Sequence, residues 1–111
     1  MESTSSTALA DLVRRAQKGD ETAQRDLIVS YQHRVAGFVY AMTSRSDYVE
    51  DLSQQVFIKM IRALDRLQAP AQFESWLFRL ARNTCIDQLR RQKLRRIFLP
   101  LGDEHENIPE P

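Results

Sequence analysis

The helical character of this chain is clearest in two stretches, VEDLSQQVFIKMIRALDRL at residues 49–67 and FESWLFRLARNTCIDQLRR at residues 73–91. In both, apolar residues return every three to four positions, which is the period of an α-helix with one buried side. The same period upstream predicts a helix over 8–18 and another over 21–43. No stretch of useful length alternates as a strand does. The sequence therefore predicts an all-α fold, a compact bundle of about four helices.

Residues between these stretches set the predicted boundaries. Gly19 ends the first helix and Asp20 caps the second, while Asp47 and Glu50 have the spacing of a capping box. Pro70 disfavours a helical residue before it and so predicts a loop. The expected remaining segments are a flexible N-terminus over 1–7, a third helix from Asp47 to about Leu67, a loop over 68–72, a fourth helix over 73–96 and an acidic linker or tail over 97–111.

The composition excludes several classes of protein. With 111 residues, 42% hydrophobic and 28% charged, the chain has the size and composition of one globular domain, over residues 8–96. One Cys and two His argue against a disulfide framework and a metal site, and three Gly are too few for a glycine-rich phosphate loop. No apolar run is long enough to span a bilayer, and the N-terminus does not have the pattern of a signal peptide. We expect a cytoplasmic protein without cofactor, metal or membrane contact, and no pair of groups suggests an enzyme.

The charges are unevenly distributed. Residues 73–96 carry seven Lys/Arg against two Asp/Glu, whereas residues 97–111 carry four acids and no Lys or Arg. A basic segment followed by an acidic one is typical of a chain with a polyanionic partner. A second interpretation is also open, in which cations stabilise the negative end of a helix and the others are solvated.

The third predicted helix has a second face opposite its core side. At 100° per residue, one arc collects eight apolar residues and the opposite arc surrounds an isoleucine with polar groups. An apolar centre with a polar rim resembles a small protein-docking patch, although a solvated face with one stray isoleucine is the alternative. The core arc contains Val49, Leu52, Val56, Phe57, Met60, Ile61, Leu64 and Leu67, and the opposite arc contains Asp51, Gln54, Gln55, Ile58 and Arg62.

The fourth predicted helix also has two faces. Arg79, Asn83 and Arg90 lie nearly in one line, and guanidinium groups beside an amide suit phosphates and a base edge. The alternative is an Asn that happens to lie on a basic surface. Trp76, at the border, either stacks on a displaced base or belongs to the core. The expected buried residues are Phe73, Trp76, Leu77, Leu80, Ala81 and Thr84, and the expected basic face contains Arg79, Arg82, Asn83, Ile86, Arg90 and Lys93.

The two stretches resemble region 2 of a bacterial sigma factor, of the extracytoplasmic-function (ECF) branch of the sigma-70 family. The motifs DLxQxxF, ALDRL, FxxWLxRLARN and DxLRR occur in order, and QKGDETAQRDLIVSYQHRV at residues 17–35 fits the start of that region. The resemblance covers residues 8–96. It implies an initiation factor that binds core RNA polymerase and recognises and melts the promoter minus-ten element.

The resemblance also implies partners for particular residues. The polar face of the third helix, with Asp51, Gln54 and Gln55, would dock on the clamp helices of the largest polymerase subunit, where many relatives have Glu in place of Gln55. Asn83 would contact the non-template strand, Arg79, Arg82 and Arg90 would hold phosphates, and the loop 66–72 would receive a flipped base. Covering by an anti-sigma factor is implied as well.

Two further expectations concern what the chain does not share with its relatives. Housekeeping members place two adjacent aromatics where this chain has Trp76-Leu77, so we expect less intrinsic melting of the promoter. Family members continue into a C-terminal helix-turn-helix domain that reads the minus-thirty-five element, and this chain stops where the linker to it would begin. The chain is either an excised domain or a reduced relative, and we expect it not to recognise that upstream element.

A second class of function remains open. A general helical nucleic-acid-binding module without polymerase contact would account for the basic face. It leaves the face formed by Asp51, Gln54, Gln55 and Ile58 unexplained, and that face therefore discriminates between the two hypotheses.

Overall fold

The computed structural model describes the backbone of residues 2–98 and the side chains of residues 7–98. Four helices follow one another without a β-strand in this part of the chain, which confirms the predicted all-α bundle. Residues 99–111, most of the predicted tail, lie outside the described residues. The elements are α1 (Glu2–Gln17), α2 (Glu21–Thr43), α3 (Ser46–Ala63) and α4 (Phe73–Phe98), with short 3-10 turns at Leu64–Arg66 and Pro70–Gln72.

The junction between α1 and α2 has the predicted stop and start. Gly19 has a φ of 95°, a conformation that side chains disfavour, and its amide donates to the Ala16 carbonyl at 3.1 Å. The Asp20 carboxylate accepts from the amides of Thr22 and Ala23 at 3.0 and 3.2 Å. These amide bonds, with help from Arg15, hold the pKa of Asp20 below its ordinary value. The chain therefore turns sharply and begins α2 at the predicted residue.

The start of α3 differs from the prediction. The helix begins at Ser46, and its N-cap residue Arg45 makes no capping bond through its side chain. Asp47 instead accepts two bonds from the Arg45 guanidinium, at 3.0 and 2.6 Å. The predicted capping box is therefore wrong, because the arginine just before the helix competes for the same carboxylate.

Three other boundaries also differ. α1 begins at Glu2 instead of at about Ala8, since the Ser/Thr cluster before Ala8 contains neither Gly nor Pro to stop a helix. α3 ends at Ala63, and a 3-10 turn replaces the predicted last turn to Leu67. α4 continues to Phe98, two residues beyond the predicted end.

The core lies where α2 packs against the other three helices. Its α3 and α4 members are mostly the predicted ones, and Tyr48, which was not predicted, is also buried. Trp76 and Leu80 are only half-buried, because they lie at the edge of the α4 stripe. The buried apolar residues are Ala10, Val13, Ala16, Ala23, Leu27, Tyr31, Val35, Val39, Tyr48, Leu52, Val56, Phe57, Met60, Leu64, Phe73, Leu77, Ala81 and Cys85.

One side chain of α1 holds the end of α3 in place. Gln17 Nε2 donates to the carbonyls of Leu64 and Leu67, at 3.0 and 2.7 Å. Both carbonyls belong to the segment that follows the end of α3. The Leu64 carbonyl also accepts from the Leu67 amide, at 3.1 Å, whereas the Leu67 carbonyl lies beyond the helical bonding and depends on Gln17. Gln17 therefore fixes the path of the chain into the 68–72 loop.

Gln17→Ala is expected to lower the free energy of unfolding by about 1–3 kcal/mol, because the partly buried Leu67 carbonyl loses its donor and the Leu64 carbonyl loses one of its two. Urea unfolding followed by circular dichroism measures the change. Gln32→Ala, at an exposed position of α2, is the control and should stay within about 0.5 kcal/mol of wild type. Equal stability of the two variants would contradict the role given to Gln17.

Candidate functional site

The face of α3 that points away from the core is accessible. Asp51, Gln54 and Ile58 are exposed, with Ile58 50% exposed, and Gln55 is half-buried. Gln55 Nε2 donates to Asp51 Oδ2 at 2.8 Å, an i, i+4 bond along the helix. We call these four residues the α3 face. It presents an apolar side chain beside a carboxylate and amides, a composition that suits protein docking.

A groove continues the α3 face towards α2. It has a volume of about 490 Å³ and a mostly apolar lining. The Ser53 hydroxyl lies buried beside it and has no hydrogen-bond partner among the described residues. Prediction from one helix at a time missed this groove, because a third of its lining residues come from α2. The lining residues are Ile28, Gln32, Ala36, Val49, Glu50, Ser53, Gln54, Phe57 and Ile58.

The basic face of α4 is also accessible. Its cations make no ion pair within residues 7–98, so their charge is left for a ligand. Asn83 is exposed among them, and Ile86 is half-buried. Such a surface favours a polyanion. The exposed cations of this face are Arg79, Arg82, Arg90 and Lys93.

Trp76 lies between this basic face and the core. Its ring centroid is 5.9 Å from that of Phe73, with the planes tilted by 44°. The side chain packs against the core and remains partly exposed. Trp76 therefore lies at the predicted border, packed against the core and still partly accessible.

The loop before α4 is more ordered than predicted. Residues Pro70–Gln72 form a 3-10 turn with the proline at its start, and the turn leads directly into Phe73. Proline suits this position because its φ is already helical and no amide is needed there. Ala71 and Gln72 remain exposed at the turn. The loop thus presents a fixed edge beside the first turn of α4.

A cluster that the sequence did not reveal joins α2 to this edge. Tyr31 Oη donates to Glu74 Oε2 at 2.5 Å, and Arg34 Nη1 donates to the same oxygen at 3.2 Å. The Arg34 guanidinium also lies 5.2 Å from the ring centroids of Tyr31 and Phe78. No sequence signal could have found the cluster, because its members lie some 40 residues apart and Tyr31 fits an ordinary apolar stripe.

The cluster changes the titration of its members. The hydrogen bond from Tyr31, followed by that from Arg34, lowers the pKa of Glu74, so the carboxylate is charged at neutral pH. Burial, reinforced by the Glu74 charge, raises the pKa of Tyr31. The Tyr31 hydroxyl therefore remains a donor throughout the physiological range.

Tyr31→Phe is expected to make stability less sensitive to acid. A lowered pKa in the folded state means that the Glu74 contribution is present above the ordinary value of 4.5 and is lost as pH falls through the lowered one. Removing the hydroxyl removes the largest cause of that lowering. Thermal unfolding at about pH 7 and about pH 3 should show wild type losing more Tm between the two than the variant. A larger loss in Tyr31→Phe would refute this account.

Residues 7–98 contain no group of three or more His, Cys, Asp or Glu placed to hold a metal ion. Across the described helices, none combines the length and apolarity needed to cross a membrane.

Comparison with known proteins assigns the family. The model of the family described as Sigma-70 region 2 matches residues 27–95, more than half of the chain. The chain belongs to the sigma-70 region 2 family. The match contains all of α3 and most of α2 and α4, and so includes both faces described above. It confirms the resemblance on which the sequence-based interpretation depends.

Relatives of this sigma region 2 include ECF sigma factors. The ECF RNA polymerase sigma-E factor of Escherichia coli K12 is 45% identical over 78 residues, which cover 70% of this chain and 40% of that protein. The RNA polymerase sigma-H factor of Pseudomonas aeruginosa is 36% identical over 78 residues, which again cover 70% of this chain and 40% of that protein. The chain thus matches about two fifths of the length of these relatives.

A solved structure matches the fold as well. It is an NMR structure of an engineered region 2 of sigmaE in complex with GTAAAA. It has a TM-score of 0.73 and 43% sequence identity, and the match covers 80% of this chain and 92% of that one. The four-helix arrangement is therefore that of a sigma region 2.

Proposed function

We propose that this sigma region 2 is the part of an ECF sigma factor that binds core RNA polymerase and captures the promoter minus-ten element. The observation that carries the proposal is the likeness to a region 2 that binds GTAAAA, at 43% identity over most of both chains. Two accessible faces of different chemistry, on α3 and α4, fit two different partners.

The α3 face suits the polymerase. Ile58 offers an apolar centre, and Asp51 and Gln54 offer a charge and an amide at the rim. Docking there would remove the exposed isoleucine from water and extend over the groove against α2. The occupant we propose is the clamp helices of the largest polymerase subunit. An anti-sigma factor that covers the same face would block this contact, and we propose that kind of partner as well.

The basic face of α4 suits a single DNA strand. Arg79, Arg82, Arg90 and Lys93 would contact phosphates, releasing counterions and making affinity fall with salt. Asn83 would hydrogen-bond a base edge, since an amide carries both a donor and an acceptor. Trp76 and Ile86 would supply apolar contact, Trp76 by stacking the accessible part of its ring on a base.

The loop over residues 66–72 would receive a base that has left the strand. Its 3-10 turn holds Ala71 and Gln72 exposed beside α4, so a base could be bound without folding the loop first. Binding the non-template strand in this form stabilises the melted promoter, and transcription starts from that state. Because polymerase and promoter meet in the bacterial cytoplasm, we propose that location for the protein.

The test is retention of the wild-type chain by immobilised core RNA polymerase, together with its binding to single-stranded GTAAAA. Retention by polymerase and binding of the hexamer are the expected results. The hexamer with every base complemented should bind more weakly. Binding of nucleic acid without retention by polymerase would replace the proposal with the general nucleic-acid-binding module, and binding of neither would refute both.

A further inference from the structure

Two hollows meet at Glu74, beside the loop that precedes α4. One, of about 460 Å³, lies towards α1 and α2, and the other, of about 520 Å³, opens between the loop and α4. Both are within the usual size range of small-ligand sites. We call the second one the loop hollow. Its lining residues are Ala71, Gln72, Glu74, Ser75 and Phe78.

The Glu74 carboxylate is held on one oxygen and open on the other. Oε2 accepts from both Tyr31 and Arg34, whereas Oε1 accepts no bond from the described residues. Nearly half of the side chain is exposed, at 47%. Two donors on one oxygen restrict the carboxylate's rotation, which leaves a positioned acceptor at the edge of the loop hollow.

The sign of this charge restricts what the loop hollow can bind. Glu74 is one of only two acids in residues 73–96, among seven cations. A carboxylate repels phosphate, so this position gains nothing from the DNA backbone. A hydrogen-bond donor on a base would instead bind the Glu74 carboxylate favourably. Adenine, cytosine and guanine each carry an amino group that can donate in this way. Thymine has no amino group, and its single edge donor, N3–H, lies between two carbonyl oxygens that the carboxylate would repel.

The position of the loop hollow fits a base that leaves the strand. Ser75 and Phe78 lie on the flank of α4 next to the basic face, where the strand would run. Phe78 is half-buried and its ring lines the hollow, which offers an aromatic surface to a planar base. A base turned out of the strand there would bring its polar edge towards Glu74.

We propose that Glu74 is a specificity-determining residue, whose Oε1 accepts a hydrogen bond from the amino group of one unstacked base in the loop hollow. This inference rests on the proposed function, since it concerns the DNA strand that α4 holds. Tyr31 and Arg34 are positioning residues that act through Glu74. The site selects amino-bearing bases at one position and disfavours thymine there.

The test measures binding of the single-stranded DNA hexamer GTAAAA and of six variants by fluorescence anisotropy or NMR titration. In five variants one purine is replaced by thymine, and in the sixth the thymine is replaced by cytosine. Wild type is expected to bind about five-fold more weakly when thymine occupies one particular position. Glu74→Gln should bind the thymine variant and the original hexamer about equally, because an amide can donate to a thymine carbonyl.

Two controls separate this effect from others. Asp87→Asn removes the other acid of the segment, at an exposed position outside the loop hollow, and should keep the thymine penalty. Tyr31→Phe keeps the Glu74 charge and should reduce the penalty without abolishing it. Thermal unfolding establishes that each variant is folded.

The other outcomes overturn the inference in distinguishable ways. A thymine penalty that survives in Glu74→Gln, or its absence from wild type at every position, refutes the role of Glu74 alone. Equal changes in Glu74→Gln and Asp87→Asn would assign the effect to net charge. If wild type binds none of the hexamers, the DNA part of the proposed function fails with it.

Discussion

Asp51→Ala/Gln54→Ala is expected to lose retention by core RNA polymerase, with affinity reduced about 10- to 100-fold. The two side chains are exposed on the α3 face and flank Ile58, so their removal takes the polar rim from the proposed docking surface. Losing Asp51 also frees Gln55 from its 2.8 Å bond to that carboxylate. Because neither residue is in the core, the variant should unfold within a few degrees of wild type. A pull-down with immobilised core enzyme measures retention.

The matched control removes the same two residue types outside the α3 face. Asp65→Ala/Gln68→Ala changes exposed positions beyond the end of α3 and should retain polymerase as wild type does. If both double variants are retained equally, the α3 face is not the docking surface. The solvated-face interpretation of the sequence would then stand.

Asn83→Ala is expected to weaken discrimination among minus-ten sequences by about 1–3 kcal/mol at the position that Asn83 reads. The amide is exposed among the cations of α4, where a strand held by phosphates would place base edges within its reach. Retention by polymerase should be unchanged, because the proposed polymerase contact lies on α3 and not on α4. Competition binding with single-stranded GTAAAA and its one-base variants measures the ratio of affinities.

Arg79→Ala provides the comparison. This arginine lies one turn before Asn83 and has no ion-pair partner among residues 7–98. Its loss should weaken binding to all sequences alike. The slope of log affinity against log salt concentration should become shallower by about one, the contribution of one phosphate contact. Asn83→Ala must differ from it by changing the ranking of sequences. A uniform loss in both variants would remove the base-reading role from Asn83.

Hydrophobic periodicity predicted the features that depend on a single helix. The side of α3 on which Leu52, Val56 and Met60 are buried follows from the 3.6-residue repeat, and so does the exposure of Ile58 opposite them. Gly19 and Asp20 are similar cases, since a local turn and a cap need only neighbouring residues. The capping box at Asp47 was wrong for a local reason, the competing guanidinium of Arg45.

Features that involve two or three helices could be identified only from the tertiary structure. The Glu74 cluster, the Gln17 contact to the end of α3 and the α2–α3 groove each join segments far apart in the sequence. Helical period determines which side of a helix is apolar, and through it the fold class and the exposed faces. Hydrogen bonds need atoms within about 3 Å, and only packing sets those distances. The sequence thus determined which faces of α3 and α4 are exposed, and the packing of α2 against the first turn of α4 decided where Glu74 holds the oxygen that has no donor.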